Sequence, residues 1–270
     1  MIDIVNGSDD MIYVITHKDF ENEFLDKKVY RILHVGENST KEALLRDDTG
    51  DNISNKNKSF CELTGLYWIW KNAEEVSTDI IGLVHYRRFF TTHLEDILYT
   101  YFGVQPKLID VEKLHKALLK YDVILPKRET IHRTVKQYYA DNHVSDDLEI
   151  TRMVIAQMTP EYLSAYDTVM EGHNFYYGNM IVCQKETLDA YCKWLFPILF
   201  EVEKRNNLDK YENDYQKRVY GFLSERLIQV WLLKNKRKIK EYPAFNTESR
   251  RLTFFQKNLS RVTKLLGRKK

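Results

Sequence analysis

The stretch that decides the fold is Ile80-Ile81-Gly82-Leu83-Val84, a short apolar run that ends abruptly in His85-Tyr86-Arg87-Arg88. An apolar run of this length, bounded by polar residues, is typical of a buried β-strand. In open α/β sheets, ligands bind just beyond the carboxyl ends of the strands. Two adjacent arginines at such a position indicate a bound anion, because a buried guanidinium without a partner is costly. An internal ion pair for one arginine, with the other in solvent, explains these residues equally well.

The order of predicted elements around this stretch indicates an α/β fold. Strands are predicted at 11–17, 30–36, 79–84, 122–126, 178–183 and 239–245, and helices at 59–72, 112–121, 147–171, 186–206 and 213–235. Strands that alternate with helices predict a mostly parallel central sheet with helices on both faces. A chain of 270 residues suits one large domain of this kind, or one domain with an appendage.

The composition excludes several other classes of protein. The hydrophobic share is 43%, as in an ordinary globular protein. The three cysteines have no CxxC spacing, so neither a disulfide framework nor a zinc site is predicted. No apolar stretch approaches the ~20 residues of a membrane span, and no signal peptide opens the chain. We therefore expect a cytoplasmic protein.

The last 21 residues differ from the rest of the chain. Residues 250–270 hold eight of the 41 Lys and Arg and no acidic residue, which leaves 33 basic against 39 acidic residues elsewhere. Their apolar residues recur at spacings of three and four, which predicts an amphipathic helix with cations on its other faces. Such a helix fits the anionic inner leaflet of a plasma membrane. A helix docked on its own domain is the alternative. A nucleic-acid-binding protein is disfavoured, because the body of the chain is acidic.

A polar loop at 47–58 leads into the predicted helix at 59–72. Backbone N–H groups, lysines and a helix N-terminus in one place favour a phosphate. Ser59 and Glu62 also match the spacing of a capping box, in which Glu62 would only close the helix end. The sequence therefore leaves Glu62 open between a cap and a site residue.

The predicted helix at 213–235 carries an arginine within its apolar stripe. At 100° per residue, Arg226 falls inside the stripe and Glu225 falls near its edge. The partner of Arg226 is then Asp214, Glu225 or a ligand phosphate. A desolvated carboxylate beside an arginine can be tuned for proton abstraction, so Glu225 is the preferred general base. A buried Arg–Glu pair that only stabilises the fold is at least as good an interpretation.

The segment from His173 to Met180 precedes a predicted strand and supplies imidazole, amide and aromatic groups that suit a sugar. A polar turn into the strand explains it equally well. The chain has no HExxH, GxGxxG, GxxxxGK[ST] or GxSxG motif. Catalytic zinc, dinucleotide oxidoreductases, P-loop NTPases and α/β-hydrolases are therefore disfavoured.

Four segments in this order resemble a bacterial family of capsular and exopolysaccharide glycosyltransferases, long described as a domain of unknown function. The segments are Tyr13–Lys18, Gly50–Ser54 with Cys61–Asn72, Gly82–Phe90 and Gly221–Leu227. Two motifs within them are highly specific, namely Glu-Leu-Thr-Gly-Leu-Tyr-Trp and His-Tyr-Arg-Arg. The resemblance covers about residues 11–250, and the basic tail lies outside it.

The resemblance implies a GT-A-like single domain at 1–249, with a Rossmann-type nucleotide-binding half at about 1–126 and an acceptor-binding half at about 127–249. It also implies transfer of a hexose from a UDP-sugar to a lipid-linked oligosaccharide, with inversion of the anomeric centre. Galactofuranose is the first candidate for the sugar. Many GT-A enzymes hold a metal with Asp-x-Asp where this chain has His85-Tyr86-Arg87-Arg88. Because guanidinium groups can neutralise a leaving diphosphate, we expect no cofactor, although a role for manganese or magnesium stays open.

The mechanism that follows from the resemblance assigns each candidate residue a role. Glu225, or failing that Asp214, takes the proton from the acceptor hydroxyl. His173 and Asn179 position the acceptor. The donor nucleotide is held by Thr16, His17, Asp51, Asn52, Glu62, His85, Arg87, Arg88 and Arg226. The alternative is a non-catalytic nucleotide- or polysaccharide-binding protein of the assembly machinery, which would tolerate Glu225→Gln.

Overall fold

The computed structural model describes residues 11–36, 45–73 and 80–248, and all statements below concern these residues. Its strands are β1 Met11–Thr16, β2 Tyr30–His34, β3 Ile81–His85, β4 Arg88–Phe90, β5 Val123–Pro126, β6 Glu129–Thr130, β7 Asn174–Phe175, β8 Ile181–Cys183, β9 Ile239–Tyr242 and β10 Ala244–Asn246. Its α-helices are α1 Asn57–Phe60, α2 Leu63–Asn72, α3 His93–Phe102, α4 Val111–Leu118, α5 Val135–Asn142, α6 Asp146–Met158, α7 Leu163–Glu171, α8 Lys185–Arg205 and α9 Val219–Lys234. The predicted tail helix at 250–270 lies outside the described residues.

The central sheet is mixed, and its longest pairings are parallel. β1 lies between β2 and β3 and is parallel to both, and β5 is parallel to β9. β8 joins the two parallel groups, because it pairs antiparallel with β3 on one side and with β5 on the other. β4 and β10 extend the sheet beyond the end of β3. The predicted α/β fold with a mostly parallel sheet is confirmed.

Apolar residues on both faces of the sheet hold the helices in place. Along β1, Tyr13 and Ile15 belong to one buried cluster, whereas Ile12 and Val14 belong to a second. Successive side chains of a strand point to opposite faces, so the two clusters are the two sides of one sheet. A strand buried on both faces reads as a continuous apolar run, which is why β1 and β3 are visible in the sequence. No described helix is both long enough and apolar enough to cross a membrane.

The predicted helix at 59–72 is in fact two helices. The helical conformation is interrupted at Cys61, whose φ of 53° lies in the left-handed region. Ser59 lies inside α1, and Glu62 makes no side-chain cap to α2, so the predicted capping box is wrong. Glu62 is the N-cap residue of α2, but its carboxylate contacts Asn179 instead of capping the helix.

The predicted helix at 213–235 begins later than expected. A turn of 3₁₀ helix spans Gln216–Arg218, and α9 follows from Val219. The Asn213 side chain accepts a hydrogen bond from the Gln216 backbone N–H, which favours a turn over helix at this point. Tyr215 therefore lies before α9, and its side chain is exposed.

Candidate active site

A cavity of about 600 Å³ opens beyond the carboxyl ends of β1 and β3. This is the edge at which ligands bind in open α/β sheets. The cavity is also lined by α1 and by the first two turns of α9. Eight residues singled out from the sequence lie together in its wall, namely Thr16, His17, Glu62, His85, Arg87, Arg88, Asp214 and Glu225.

The cavity wall is rich in cations without acidic partners. Among the described residues, no carboxylate forms an ion pair with Lys58, Arg88 or Arg218, although all three line the cavity. The Arg88 guanidinium lies 4.6 Å from the centre of the Tyr177 ring. The Nε of Arg218 donates to Sγ of Cys61 at 3.1 Å. Three such cations in one cavity favour the binding of an anion that carries more than one negative charge.

Arg87 differs from its neighbour in that it already has an acidic partner. Its guanidinium lies 3.2 Å from the Glu248 carboxylate, which also lies 2.9 Å from Nζ of Lys18. All three side chains are substantially exposed to solvent, so these pairs are weak.

Glu225 is a buried carboxylate in the cavity wall. One oxygen accepts from the Gly178 backbone N–H at 2.7 Å, and the other accepts from Nη1 of Arg226 at 2.7 Å. Burial is the main cause that raises the pKa of Glu225, to about 7; Arg226 opposes this shift and Glu62 adds to it. At neutral pH this carboxyl group is therefore poised between its two protonation states.

Arg226 does not line the cavity. Its guanidinium is buried between the rings of Phe175 and Tyr139, with centroids 4.6 and 5.2 Å away. It pairs with Glu225, which is the internal ion pair that the sequence left open. Its predicted contact with the donor is not supported by this geometry, because Nη1 bonds to Glu225 and to the Phe222 carbonyl and the side chain is buried outside the cavity wall.

A turn at Gly178 and Asn179 connects the elements around the cavity. Both residues have positive φ, 92° and 48°, which glycine and asparagine tolerate best. Nε2 of His85 donates to the Gly178 carbonyl. Because burial lowers the pKa of His85, its ring is neutral and carries one N–H for this bond. The turn thus receives contacts from β3 and, through Glu225, from α9.

The Asn179 side chain extends this connection to Glu62. Its Nδ2 donates to Oε1 of Glu62 at 2.7 Å, and its Oδ1 accepts from the Ser224 hydroxyl at 2.8 Å. Both ends of the amide are therefore used within the protein. The predicted contact of Asn179 with an acceptor sugar is not supported by this geometry, and its side chain positions Glu62 instead.

Three further predicted site residues lie away from the cavity wall. His173 is exposed, and its Nδ1 bonds to the Arg133 carbonyl. Asp51 accepts from the Tyr67 hydroxyl and holds its loop against α2, whereas Asn52 bonds to Ser54 within the loop itself. The sequence could place these groups only near a strand or helix end, and their local partners turn them elsewhere.

Asp214 lies at the rim. Its side chain is 99% exposed and sits 3.1 Å from Nζ of Lys217. In this position it contacts solvent rather than a buried reacting group, so Glu225 is the better placed of the two candidate bases.

Sequence reasoning named Asn57, Lys58 and Tyr177 only as parts of a polar loop and of the segment before a strand. It assigned no role to Cys61, Tyr215, Lys217, Arg218 or Phe222, which also line the cavity. A signal existed for Arg218, since it precedes Glu225 by seven residues and such a spacing puts two side chains on one face of a helix. The tyrosines gave no comparable signal, because exposed aromatic residues occur throughout the chain.

The class of protein follows from comparison with known families. Residues 11–236 match the family described as "Domain of unknown function (DUF4422)", and the chain belongs to this family. No curated protein matches the chain.

A solved structure adds a chemical context to the family. The fold is similar to the apo structure of the bifunctional glycosyltransferase WbbM, with a TM-score of 0.75 and 29% sequence identity. The match covers 89% of this chain but only 45% of that one, so this chain spans less than half the length of its relative. The resemblance inferred from the sequence is confirmed at the level of a glycosyltransferase fold.

Proposed function

We propose that this chain transfers a sugar from a nucleoside-diphosphate sugar to a hydroxyl group of an acceptor. The observation that carries this proposal is the cluster of Lys58, Arg88 and Arg218, which line one cavity with no acidic partner among the described residues. The buried carboxylate of Glu225 lies in the same wall. A leaving diphosphate needs positive charge, and the attacking hydroxyl needs a base. The similarity to a bifunctional glycosyltransferase supports the same activity.

In this proposal the cations bind the diphosphate and neutralise the charge that develops as it leaves. Arginine suits this task, because its planar fork binds phosphate oxygens in pairs. Thr16 and His17 lie at the carboxyl end of β1 and contact the nucleoside. Burial, and then the neighbouring cations, hold the pKa of His17 low, so its ring is neutral and can both donate and accept a hydrogen bond.

Glu225 acts as the general base in a single displacement that inverts the anomeric centre. The acceptor O–H transfers its proton to the Glu225 carboxylate while its oxygen bonds to the anomeric carbon. The bond from that carbon to the diphosphate breaks, and the electron pair leaves with the diphosphate. Proton removal of this kind requires the ionised form of Glu225, which predominates only above its pKa of about 7.

We propose that the cations do the work of a metal ion. The described residues contain no cluster of three or more His, Cys, Asp or Glu side chains that could hold one. We expect UDP binding and sugar transfer to be unchanged by EDTA, with titration calorimetry and a UDP-release assay as the measurements. Loss of transfer in EDTA that manganese restores would contradict this prediction.

The finer identity of the substrates rests on the family resemblance. We propose a UDP-hexose donor, with UDP-galactofuranose first, and a lipid-linked oligosaccharide of capsular or exopolysaccharide synthesis as acceptor. A lipid-linked acceptor would favour attachment of the enzyme to the inner face of the plasma membrane. The eight cations of residues 250–270 suit such a surface. Those residues lie outside the described part of the chain.

The test is a panel of UDP-sugars and other nucleotide sugars, followed for release of the nucleoside diphosphate, alongside calorimetry with UDP. Binding and turnover together support the proposal. UDP binding without turnover of any sugar, in wild type and Glu225→Gln alike, would favour the non-catalytic binding protein. If no nucleotide binds, the glycosyltransferase proposal fails.

A further expected result tests whether the charge of Glu62 acts on Glu225. Glu62 adds to the pKa of Glu225 through its negative charge, so Glu62→Gln removes that contribution. We therefore expect the rising limb in a pH profile of kcat/KM to move to lower pH in the variant. Asn179 can still bond to the Gln side chain, so the local structure is preserved. An unmoved limb would mean that the two carboxylates do not interact.

A further inference from the structure

One wall of the cavity is aromatic, and the proposed roles of the cations and carboxylates leave its exposed ring surface without a function. Tyr177 and Tyr215 line the cavity and are 47% and 53% exposed. Phe222 lines the cavity beside them and is almost buried. We call these three residues the aromatic wall. Exposed rings inside a concave site are surfaces for a ligand, because a purely structural aromatic residue is normally covered.

The aromatic wall is rigid. The His143 ring stacks on Phe222 with centroids 4.0 Å apart, and Tyr215 lies 5.2 Å from Phe222. Nδ1 of His143 is bonded to Oε1 of Gln216, and Gln216 donates in turn to the Asn142 carbonyl. The Tyr215 ring is therefore supported from behind while its outer side remains accessible. A surface prepared in this way binds a ligand with little loss of conformational entropy.

The aromatic wall adjoins the groups that take part in the proposed reaction. Tyr177 directly precedes Gly178, whose N–H bonds to Glu225. The Arg218 guanidinium lies 5.8 Å from the Tyr215 ring centre and connects the aromatic wall to the cations. Burial and then the neighbouring Tyr177 raise the pKa of Tyr215, which is consistent with two phenols close together. A ligand on this wall would therefore lie beside both Glu225 and the cations in the same cavity.

We infer that Tyr215 and Tyr177 form the acceptor subsite, on which a pyranose ring of the acceptor glycan stacks through its apolar face. This inference rests on the proposed function, because it assigns a second substrate to the same cavity. A pyranose has C–H groups on one face and hydroxyls at its edge, which matches an aromatic surface bordered by polar groups. Asp214 and Lys217 lie at that border and can bond to the hydroxyls. The stacked ring then presents one hydroxyl to Glu225.

The experiment compares Tyr215→Ala with Tyr215→Phe, which keeps the ring. Tyr101→Ala is the matched control, since Tyr101 is 44% exposed on α3 and does not line the cavity. Saturation-transfer NMR with irradiation of the protein's aromatic protons uses octyl β-D-galactopyranoside and octyl β-D-glucopyranoside as probes, in the presence of UDP. Calorimetry measures UDP affinity for each protein separately.

We expect ring protons of at least one glycoside to receive saturation from the wild type. Tyr215→Ala should lower the affinity for that glycoside about tenfold, as expected for the loss of one stacked ring. Tyr215→Phe and Tyr101→Ala should leave this affinity unchanged. UDP affinity should be the same in all four proteins. Unchanged glycoside binding in Tyr215→Ala overturns the inference, as does the absence of saturation transfer to both glycosides.

Two other outcomes have separate meanings. If Tyr215→Ala lowers the affinity for UDP but not the affinity for the glycoside, the aromatic wall binds the nucleobase and the inference is wrong. If the wild-type protein binds no UDP, the proposed function fails. The UDP titration of the wild type tests this independently of the glycoside measurements.

Discussion

Glu225→Gln is expected to lower the rate of sugar transfer by about 10²–10⁴-fold while leaving UDP affinity nearly unchanged. The side chain is buried in the cavity wall, and in the proposed mechanism it removes the acceptor proton. The rate of the wild type should rise with pH through about 7, because burial raises the pKa of Glu225 to this value and only the ionised form is a base. The variant should lack this limb. Steady-state kinetics across a pH series, with calorimetry for UDP, measure both effects.

The same substitution also disturbs an ion pair, and a second variant separates the two effects. Gln at position 225 leaves Arg226 buried without a charge partner, which is destabilising. The double variant Glu225→Gln/Arg226→Met removes both charges, and a thermal melt reports whether the fold is retained. A folded double variant with wild-type transfer rates would exclude Glu225 as the base. An equal loss of transfer in both variants would support it.

Arg88→Ala is expected to weaken UDP binding by about 10- to 100-fold, whereas Arg87→Ala should weaken it by less than about threefold. The two residues are adjacent and chemically identical, but Arg88 has no acidic partner in the described chain and Arg87 has Glu248. The affinity lost with Arg88 should shrink as salt is added, because the interaction is electrostatic. Calorimetry at two salt concentrations measures these differences.

A control addresses the packing of Arg88 against Tyr177. Arg88→Lys keeps the charge but loses the planar fork, so its UDP affinity should fall between those of wild type and Arg88→Ala. Equal losses for Arg87→Ala and Arg88→Ala would show that the pairing seen here does not distinguish the two arginines.

The sequence was sufficient where buried apolar runs determine structure. β1 and β3 are buried on both faces, so their strands and the polar residues at their ends could be predicted without a structure. Arg87 and Arg88 line the cavity because they lie just beyond the end of β3, and their contact with a donor nucleotide stays a prediction. The division into halves at about residue 126 stays a prediction.

Predictions failed where a change in backbone direction, or a contact between residues distant in sequence, outweighs the periodic pattern. The left-handed backbone at Cys61 cannot be seen in a helical pattern, yet it divides one predicted helix into two. Asn179 has the chemistry of a sugar ligand, but contacts with Glu62 and Ser224, 117 and 45 residues away in sequence, use its amide. Arg226 looked equally suited to a phosphate or to Glu225, and only packing against Phe175 decides between them.

The turn at Gly178 and Asn179 has a consequence for how the proposed activity could diversify. Its bonds hold Glu225 and Glu62 in position, whereas Tyr177 and Tyr215 present exposed rings to the same cavity. Under the proposed roles, reactivity and selectivity lie in separate side chains of one cavity. We then expect that randomising residues 177 and 215 changes which glycans are accepted without moving the proposed acid–base groups.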